Sequence, residues 1–322
     1  MELIKSQIQF IDNIIKKYKF NKNPYNLYEP LNYILELEGK HIRPVLAISA
    51  FELFSDDYDK IKKPALALEW FHNFTLIHDD IMDDASLRRG NKTVHTKWDV
   101  NTAILSGDVL MIKSYELFED LDPVMYKKCL QLFIRSAVEV CEGQQYDIDF
   151  EKSNLITFDD YIKMITLKTA VLIASSLKIG ALIGNASDED AENLYQFGKY
   201  LGIAFQIQDD YLDVYGSVKK VGKRRAGDIY ENKKTILYLK ALEKANSKQK
   251  ERLLKLYANK SQDAQKVNEV IQIFETLNIQ KETATECHRY QKKALEYLDK
   301  IKTKKSKEKL IHLSEYLINR DL

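Results

Sequence analysis

The sequence from Phe71 to Gly90, FHNFTLIHDDIMDDASLRRG, is an apolar stretch that runs into a cluster of aspartates. Upstream of the cluster, apolar residues recur every three or four positions, at Leu66, Trp70, Phe74 and Ile77. This is the spacing of one face of an α-helix. We therefore predict a helix that carries carboxylates at its C-terminal end.

A second stretch repeats this arrangement. Ile203–Gly216 reads IAFQIQDDYLDVYG, and Leu194, Phe197, Leu201 and Phe205 recur at helical spacing around its start. The chain has only 5 Pro and 11 Gly, and no alternating strand pattern or linker-like segment stands out. These features predict an all-α fold in which residues 1–322 form one domain, a single large helical bundle.

The composition excludes some classes of function. Hydrophobic residues make up 45% and charged residues 30% of the 322 residues, which is typical of a soluble globular protein. The 49 basic and 48 acidic residues leave a formal charge of +1, which argues against a nucleic-acid partner. The N-terminal MELIKSQIQFIDNIIKKYKF is predicted to be an amphipathic helix and not a signal peptide.

Two further features concern the location of the protein. The apolar stretch from Thr169 to Ser187 is interrupted by Lys178, which favours a buried core helix over a membrane span. Cys129, Cys141 and Cys287 are odd in number and have no metal-binding spacing. We expect buried free thiols, which a reducing cytosol allows, and predict a cytoplasmic protein.

Both aspartate clusters contain the pattern DDxxD. On a helix, Asp79 and Asp83 share a face, and Asp209 and Asp213 do the same. Like charges at this spacing are locally unfavourable, and aspartate is a poor residue for a helix interior. A divalent cation would compensate, and magnesium prefers oxygen ligands. The alternatives are solvated acidic helix ends, or a calcium loop, whose D-x-D-x-D-G spacing neither cluster shows.

Basic residues accompany the clusters, as a metal-bridged anionic ligand requires. They are Lys40 and Arg43 in GKHIRP, Arg88 and Arg89 after the first cluster, Lys168 in MITLKTAVLIA, and Lys223 and Lys233 after the second cluster. Because a lone buried ammonium is costly, Lys168 should point into an anionic cavity. The alternatives are a Lys168 side chain that extends to solvent and an ordinary surface pair at Arg88 and Arg89.

These segments resemble the trans-polyprenyl (isoprenyl) diphosphate synthases, in the order and spacing of that family. The matching segments are GKHIRP at 39–44, FHNFTLIHDDIMDDASLRRG at 71–90, LKTA at 167–170, IAFQIQDDYLDVYG at 203–216 and GKRRAGDIYENKKT at 222–235. They cover roughly residues 30–240, and the last 80 residues or so carry no usable motif. The resemblance implies an all-helical fold with a central cavity, the isoprenoid synthase fold, and a homodimer.

The resemblance also implies a role for each site residue. The metal ligands would be Asp79, Asp80, Asp83, Asp209, Asp210 and Asp213, some of them through water, holding three magnesium ions when substrate is bound. The allylic diphosphate would be contacted by Arg88, Lys168, Thr169, Gln206, Lys223 and Lys233. Isopentenyl diphosphate would be bound by Lys40, Arg43, His72 and Arg89. His72 shares the helix face of Asp79, and its alternative is a satisfied core histidine.

The length of the product is predicted from the residues before the first cluster. In the family a bulky aromatic residue five positions before the first aspartate favours short products, and Phe74 holds that position, followed by the small Thr75. On an ideal helix Phe74 lies about 140° from Asp79, so the alternative floors for the product pocket are Phe71 and a neighbouring helix or subunit. We expect geranylgeranyl diphosphate ahead of farnesyl diphosphate.

Two other functions remain open. A terpene cyclase would need one aspartate-rich motif and a second metal motif of Asn/Ser/Glu type, whereas this chain has DDYLD at 209–213 and a complete GKHIRP. A non-catalytic regulatory subunit could lose its metal-binding carboxylates, and all six are present here.

Overall fold

The structure is a computed structural model, and it describes residues 4–153, 155–216, 225–258 and 263–319. Apart from one short hairpin, every regular element in these ranges is helical. The prediction of an all-α fold is confirmed. The described residues fall into two compact units, which contain Met1–Ile134, Ser175–Tyr195 and Ile301–Leu313 (unit 1) and Arg135–Ala174, Gln196–Lys300 and Ser314–Leu322 (unit 2). One domain over residues 1–322 stays a prediction.

The helices have the following bounds. Those up to residue 152 are α1 (Lys5–Lys17), α2 (Tyr25–Glu36), α3 (Ile42–Glu52), α4 (Lys62–Met82), α5 (Val94–Lys97), α6 (Val100–Glu116) and α7 (Pro123–Lys152). The others are α8 (Phe158–Ile165), α9 (Val171–Ile183), α10 (Asp188–Tyr215), α11 (Gly227–Tyr230), α12 (Ile236–Lys244), α13 (Ser247–Leu256), α14 (Ala264–Thr276), α15 (Ile279–Asp299) and α16 (Glu308–Ile318). The strands β1 (Leu87–Arg88) and β2 (Asn91–Lys92) form an antiparallel hairpin.

The core of unit 1 is built around α3 and α4. From Pro44 to Phe51 every residue of α3 is buried, as expected for a helix that is apolar on all sides. A Cβ atom at Gly180 of α9 would meet the backbone of Ala47, 3.0 Å from its Cα. Glycine at this position therefore allows α9 to lie directly against α3.

The core of unit 2 includes the C-terminal helices. Val267, Val270 and Phe274 of α14 are buried, and so are Tyr290 and Leu298 of α15. Their spacing is that of an amphipathic helix, so each helix buries one face and leaves the other in solvent. The last 80 residues, which carry no motif, thus supply part of the framework of unit 2.

The stretch Phe158–Ile183 is long and apolar enough to cross a membrane, but 78% of its most apolar 18 residues are buried inside the protein. This burial agrees with the core helix predicted from the sequence. The stretch is not a continuous α-helix, because a π-helical turn at Thr166–Ala170 separates α8 from α9. Among the cysteines, Cys129 and Cys287 are buried free thiols, but Cys141 is exposed on α7, so the prediction of a buried thiol there is wrong.

A buried ion pair holds α3 against α4. His41, at the N-terminus of α3, has a left-handed backbone with φ 45°, and its Nδ1 lies 2.8 Å from Oε1 of Glu69 on α4. Its Nε2 lies 3.1 Å from Oδ1 of Asp12. Burial alone would lower the pKa of His41, but the bond with Glu69 and the charges of Glu69 and Asp12 outweigh it and raise the pKa above 6.5.

The partner carboxylate shifts in the opposite direction. Burial alone would raise the pKa of Glu69, which is only 1% exposed. The bond and charge of His41, the amide of Asn73 and the charge of Arg43 outweigh burial and lower the pKa below 4.5. The pair is therefore ionised on both sides over a wide pH range, and its Glu69 side is additionally fixed by Asn73 Nδ2, 3.1 Å from Oε1.

The free energy of unfolding should depend on pH because of this ion pair. A raised His41 pKa stabilises the fold fully below about pH 6.5, and the gain is lost as pH rises through the folded-state pKa. The lowered Glu69 pKa stabilises above about pH 4.5, and that gain is lost as pH falls through the folded-state value. We expect Glu69→Gln to lower the unfolding free energy most near pH 5.5 and less near pH 9, where His41 is neutral, with a difference on the order of 1 kcal/mol.

Urea denaturation at the two pH values measures this difference. Glu36→Gln is the matched control, because Glu36 forms an exposed ion pair with Lys19. Its cost should stay below about 1 kcal/mol at both values. An equal cost of Glu69→Gln at both pH values would rule out the ionised pair.

Candidate functional site

The first aspartate motif stands at the C-terminal end of α4. The amide of Asp83 donates to the carbonyl of Asp79 at 2.8 Å, so the two residues lie one turn apart on one face, as predicted. Asp84 follows with φ 48°, and the amide of Ala85 donates to the carbonyl of Asp80 at 2.9 Å, which ends the helix in a Schellman motif. The negative end of the helix dipole disfavours carboxylates here, so positive charge is required.

Part of that charge comes from the hairpin that follows. Arg88 on β1 donates from Nε to both oxygens of Asp80 at 2.8 Å and from Nη2 at 2.6 Å. Asp80 is 1% exposed, whereas Asp83 is exposed. The two-residue loop Arg89–Gly90 has positive φ at both positions, 52° and 76°, which suits a tight hairpin. The hairpin thus places Arg88 directly on the buried carboxylate.

The four residues predicted to bind isopentenyl diphosphate lie in unit 1, and three of them influence one another. The guanidinium of Arg89 lies over Gly39, next to Lys40, where a Cβ atom would be 2.8 Å from Nη1. Burial is the main reason that the pKa of His72 lies well below 6.5, and the charges of Arg43 and Arg89 add to it. His72 is therefore neutral, with a buried Nδ1 that has no hydrogen-bond partner among the described residues.

The residues predicted to set product length lie in an aromatic cluster of unit 1. Phe71 is 1% exposed, with ring centroids 5.3 Å from Phe74 and 5.2 Å from Phe133. Phe74 also packs on His78 at 4.8 Å. Thr75 is half-buried, and its hydroxyl donates to the carbonyl of His72 at 2.8 Å. Phe71 and Phe74 therefore act as one packed layer.

The second motif, at the C-terminal end of α10, is held by a chain of hydrogen bonds in unit 2. The hydroxyl of Tyr161 donates to Asp210 at 2.7 Å, and Gln206 Nε2 donates to the other oxygen at 3.0 Å. The hydroxyl of Thr169 donates to Gln206 Oε1 at 2.9 Å. Burial, and next the charge of Asp228, raise the pKa of Asp210 to about 8. A cation nearby would reverse this shift.

Tyr161 is placed by the start of α8. Thr157 and Asp160 form a capping box, in which each side chain accepts the other's backbone amide at 3.1 Å and 3.0 Å. The box fixes the first residue of the helix, and Tyr161 then follows on the buried face. Its phenol is fully buried, so it needs a partner, and Asp210 provides one.

A cavity of about 80 Å³ collects the polar residues of unit 2. Its lining comprises Asp147, Phe150, Tyr161, Met164, Ile165, Lys168, Thr169, Gln206, Asp210, Asp228, Lys233, Lys234 and Thr235. The structure therefore brings together five predicted site residues, Lys168, Thr169, Gln206, Asp210 and Lys233, from separate segments of the chain. The sequence predicted that Lys168 points into an anionic cavity; in the structure Lys168 lines a cavity that holds both carboxylates and ammonium groups.

Lys168 is paired within this cavity. Its Nζ lies 2.6 Å from Oδ2 of Asp147 on α7. Burial alone would raise the pKa of Asp147, but the charges of Lys168 and Lys233 outweigh it and lower the pKa. The carboxylate thus pairs directly with Lys168 and is also influenced by the charge of Lys233.

The π-helical turn orients the side chains of Lys168 and Thr169. A Cβ atom at Gly143 of α7 would meet the backbone of Lys168, 2.6 Å from its Cα, and one at Gly202 of α10 would lie 2.5 Å from Cα of Ala170. Two glycines therefore let α7 and α10 approach the turn from two directions. A π-turn widens the helix and redirects its side chains, and such turns are frequent at functional sites.

Asp213 anchors the segment that follows the motif. Its carboxylate accepts the amides of Gly227 and Asp228, both at 3.1 Å, at the start of α11. The predicted contact Lys223 lies outside the described residues. Asp209, four positions before Asp213, is half-buried on α10. Asp79, Asp80, Asp83 and Arg88 belong to unit 1, and the seven remaining described metal and allylic-diphosphate residues belong to unit 2.

Among the residues of the unit 2 cavity that sequence reasoning missed are Asp147, Tyr161 and Asp228. Asp228 lies in the matched segment GKRRAGD, so the motif could have identified it as a site residue. Asp147 stands four residues after Gly143, at helical spacing on α7, and only the contact with Lys168 shows its importance. Tyr161 carries no pattern at all, because its role depends on burial against Asp210.

The donor atoms fit magnesium. Among the described residues no group of three His, Cys, Asp or Glu side chains is preassembled to hold a metal ion alone. Magnesium is usually held by one or two carboxylates together with substrate phosphates and water, so such a cage is not required. The exposed or half-buried carboxylates of Asp79, Asp83, Asp209 and Asp213 supply hard oxygen donors of this type.

Comparison with known proteins gives the family. Residues 24–274 match polyprenyl synthetase. The short chain isoprenyl diphosphate synthase of Methanothermobacter thermautotrophicus is 35% identical over 322 residues, 100% of this chain and 98% of that protein. The geranylgeranyl pyrophosphate synthase of Geoglobus acetivorans is 35% identical over 324 residues, 99% of each chain.

A solved structure shows the same fold. The crystal structure of a geranylgeranyl pyrophosphate synthase matches with a TM-score of 0.93 and 39% sequence identity, over 99% of each chain. The isoprenoid synthase fold implied by the sequence motifs is confirmed. The chain belongs to the polyprenyl synthetase family of prenyltransferases.

Proposed function

We propose that this protein condenses isopentenyl diphosphate with an allylic diphosphate to give a short-chain all-trans prenyl diphosphate, with geranylgeranyl diphosphate favoured over farnesyl diphosphate. The observation that carries the proposal is the cavity of unit 2, in which two lysines, Lys168 and Lys233, meet carboxylates from three segments of the chain. Fixed charges of both signs suit a diphosphate bridged by cations.

The residues of unit 2 hold the allylic diphosphate. Asp209 and Asp213 of this unit, and Asp79 and Asp83 of unit 1, would each serve as magnesium ligands, and magnesium would supply the positive charge that makes diphosphate a good leaving group. Lys168 and Lys233 direct two ammonium groups at the departing anion, and Thr169 and Gln206 orient it by hydrogen bonds. Phe150, Met164 and Ile165 line the same cavity and help to exclude water, which would quench the allylic cation.

The residues of unit 1 hold the second substrate. Arg43, Arg89 and Lys40 bind the diphosphate of isopentenyl diphosphate, for which the planar guanidinium groups are suited. His72 is kept neutral, so it serves as a hydrogen-bonding group and not as an acid. The double bond attacks the allylic cation, and the loss of one proton gives a product five carbons longer. The released diphosphate accepts that proton, so no protein base is assigned.

The carboxylates are tested by substitution. Asp79→Ala and Asp209→Ala should each lower kcat at least about 100-fold, because each removes a carboxylate that would hold magnesium at the reacting diphosphate. Product formation is measured with isopentenyl diphosphate, magnesium and each allylic primer. Asp57→Ala, at an exposed carboxylate paired with Lys60, should leave kcat unchanged.

Melting curves of the same variants separate catalysis from folding. Asp79 and Asp209 stand near the C-terminal ends of helices, so their removal should not lower Tm. Near-normal turnover by either variant would refute the mechanism. A wild-type protein that forms cyclised hydrocarbon would indicate a terpene cyclase, and one that forms no product alone would indicate a regulatory subunit.

The product-length residues are tested one at a time. We expect Phe74→Ala or Phe71→Ala to lengthen the product by at least one five-carbon unit, because each removes a ring from the packed aromatic layer. Chain length is read by mass spectrometry after dephosphorylation. Phe51→Ala, at a fully buried ring elsewhere in unit 1, is the control. It should cost about 3–5 kcal/mol of stability without lengthening the product. If neither Phe71→Ala nor Phe74→Ala lengthens the product, the floor lies elsewhere.

We also propose a cytoplasmic homodimer. An exposed apolar face on α6 supports self-association, with Ile104, Leu105 and Ile112 exposed by 40%, 58% and 56%. Leu105→Asp should shift the protein to monomer in sedimentation velocity, because a charge would be buried in the interface. Lys128→Asp, at an exposed side chain of α7 paired with Asp188, is the control. A monomeric wild-type protein would contradict the dimer.

A further inference from the structure

The turn between α11 and α12 is held by an asparagine with a left-handed backbone. Asn232 has φ 58°, the amide of Lys233 donates to the carbonyl of Asp228 at 2.9 Å, and the amide of Asn232 donates to the carbonyl of Ile229 at 3.3 Å. These two bonds form a Schellman motif, in which the left-handed residue sets the direction of the chain that follows. The residue that follows is Lys233.

The side chain of Asn232 is itself fixed on both ends. It is 5% exposed, its Oδ1 accepts a hydrogen bond from Nζ of Lys266 on α14, and its Nδ2 donates to the carbonyl of Tyr257 at 3.1 Å. Glycine would adopt the left-handed conformation at lower cost. The asparagine side chain therefore adds an anchor that the backbone turn does not need.

The anchor contains a buried ammonium group. Lys266 and Lys234 are each 6% exposed, and in the described part of the chain their Nζ atoms donate to Asn232 and form no ion pair with a carboxylate. Their Nζ atoms lie 5.6 Å and 5.1 Å from the ring centre of Tyr257. Burial, and for Lys234 also the charge of Lys266, lower the pKa of both groups. Cation–π contacts and the amide of Asn232 offset part of the cost of burial.

We infer that Asn232 and Lys266 are positioning residues for Lys233, and that they direct its ammonium group toward the pyrophosphate portion of the substrate. This inference rests on the proposed function. Lys233 lines the cavity, and its charge acts on Asp147 there. Lys266 and Tyr257 belong to the C-terminal region, which thereby influences the cavity through its contacts with the turn at Asn232.

The test uses the full-length protein with magnesium and inorganic pyrophosphate as the probe, and calorimetry gives the dissociation constant. Asn232→Gly keeps the left-handed backbone but removes the anchor, and it should weaken binding about tenfold. Lys266→Met removes only the ammonium group and should have a similar effect. Lys233→Ala should weaken binding about tenfold or more.

A double-mutant cycle shows whether the anchor acts through Lys233. In the Lys233→Ala background, Asn232→Gly and Lys266→Met should each change the dissociation constant less than about twofold, because the group that they position is gone. A purely structural role would lower Tm and leave the affinity of the folded protein unchanged. Asn278→Gly, at another left-handed asparagine of unit 2, is the matched control and should not alter affinity.

Three results would overturn the inference: wild-type affinity in Asn232→Gly, a tenfold effect that persists without Lys233, or wild-type affinity in Lys233→Ala. Prenyl transfer by the wild-type protein is measured separately. If the cycle shows coupling but no prenyl diphosphate forms, the proposed function fails and the positioning role stands. If prenyl diphosphate forms without coupling, the positioning role fails alone.

Discussion

Carboxylates at the C-terminal ends of two apolar helices, α4 and α10, are the constraint on which the rest of the site depends. The helix dipole is negative at these ends, so aspartates there raise the energy of the fold unless positive charge or hydrogen bonds compensate. The two helices solve the problem differently. Asp80 is neutralised by the bidentate contact of Arg88, whereas Asp210 accepts hydrogen bonds from Tyr161 and Gln206 and has a raised pKa. The raised pKa of Asp210 shows that its negative charge is poorly compensated, which favours a bound cation, whereas Arg88 already compensates Asp80.

The cationic residues are placed by backbone features that carry no charge. Gly143 and Gly202 admit neighbouring helices against the π-turn that bears Lys168. The left-handed Asn232 directs Lys233. Because ammonium groups lie on long flexible side chains, a rigid backbone at their base reduces the entropy lost on binding an anion. The chemistry of the cavity therefore depends on packing outside it.

The two units also differ in how they use buried charge. In unit 1 the pair His41–Glu69 is ionised and joins α3 to α4 next to Arg43. In unit 2, Lys266 is buried without a carboxylate in ion-pair contact among the described residues, and an amide and an aromatic ring surround it instead. A buried cation without a counter-ion raises the local potential, which suits a unit that is proposed to bind diphosphate.

The sequence by itself determined the all-α fold, the family and the two aspartate motifs, because helical periodicity and motif spacing are local properties that each segment carries alone. It also singled out Lys168, although not its partner. Only the tertiary structure decided that Asp147 pairs with Lys168, that Tyr161 holds Asp210, and that Lys266 supports the turn before Lys233. These contacts join residues 21 to 49 positions apart in the chain, and their energies come from burial, which no local pattern specifies.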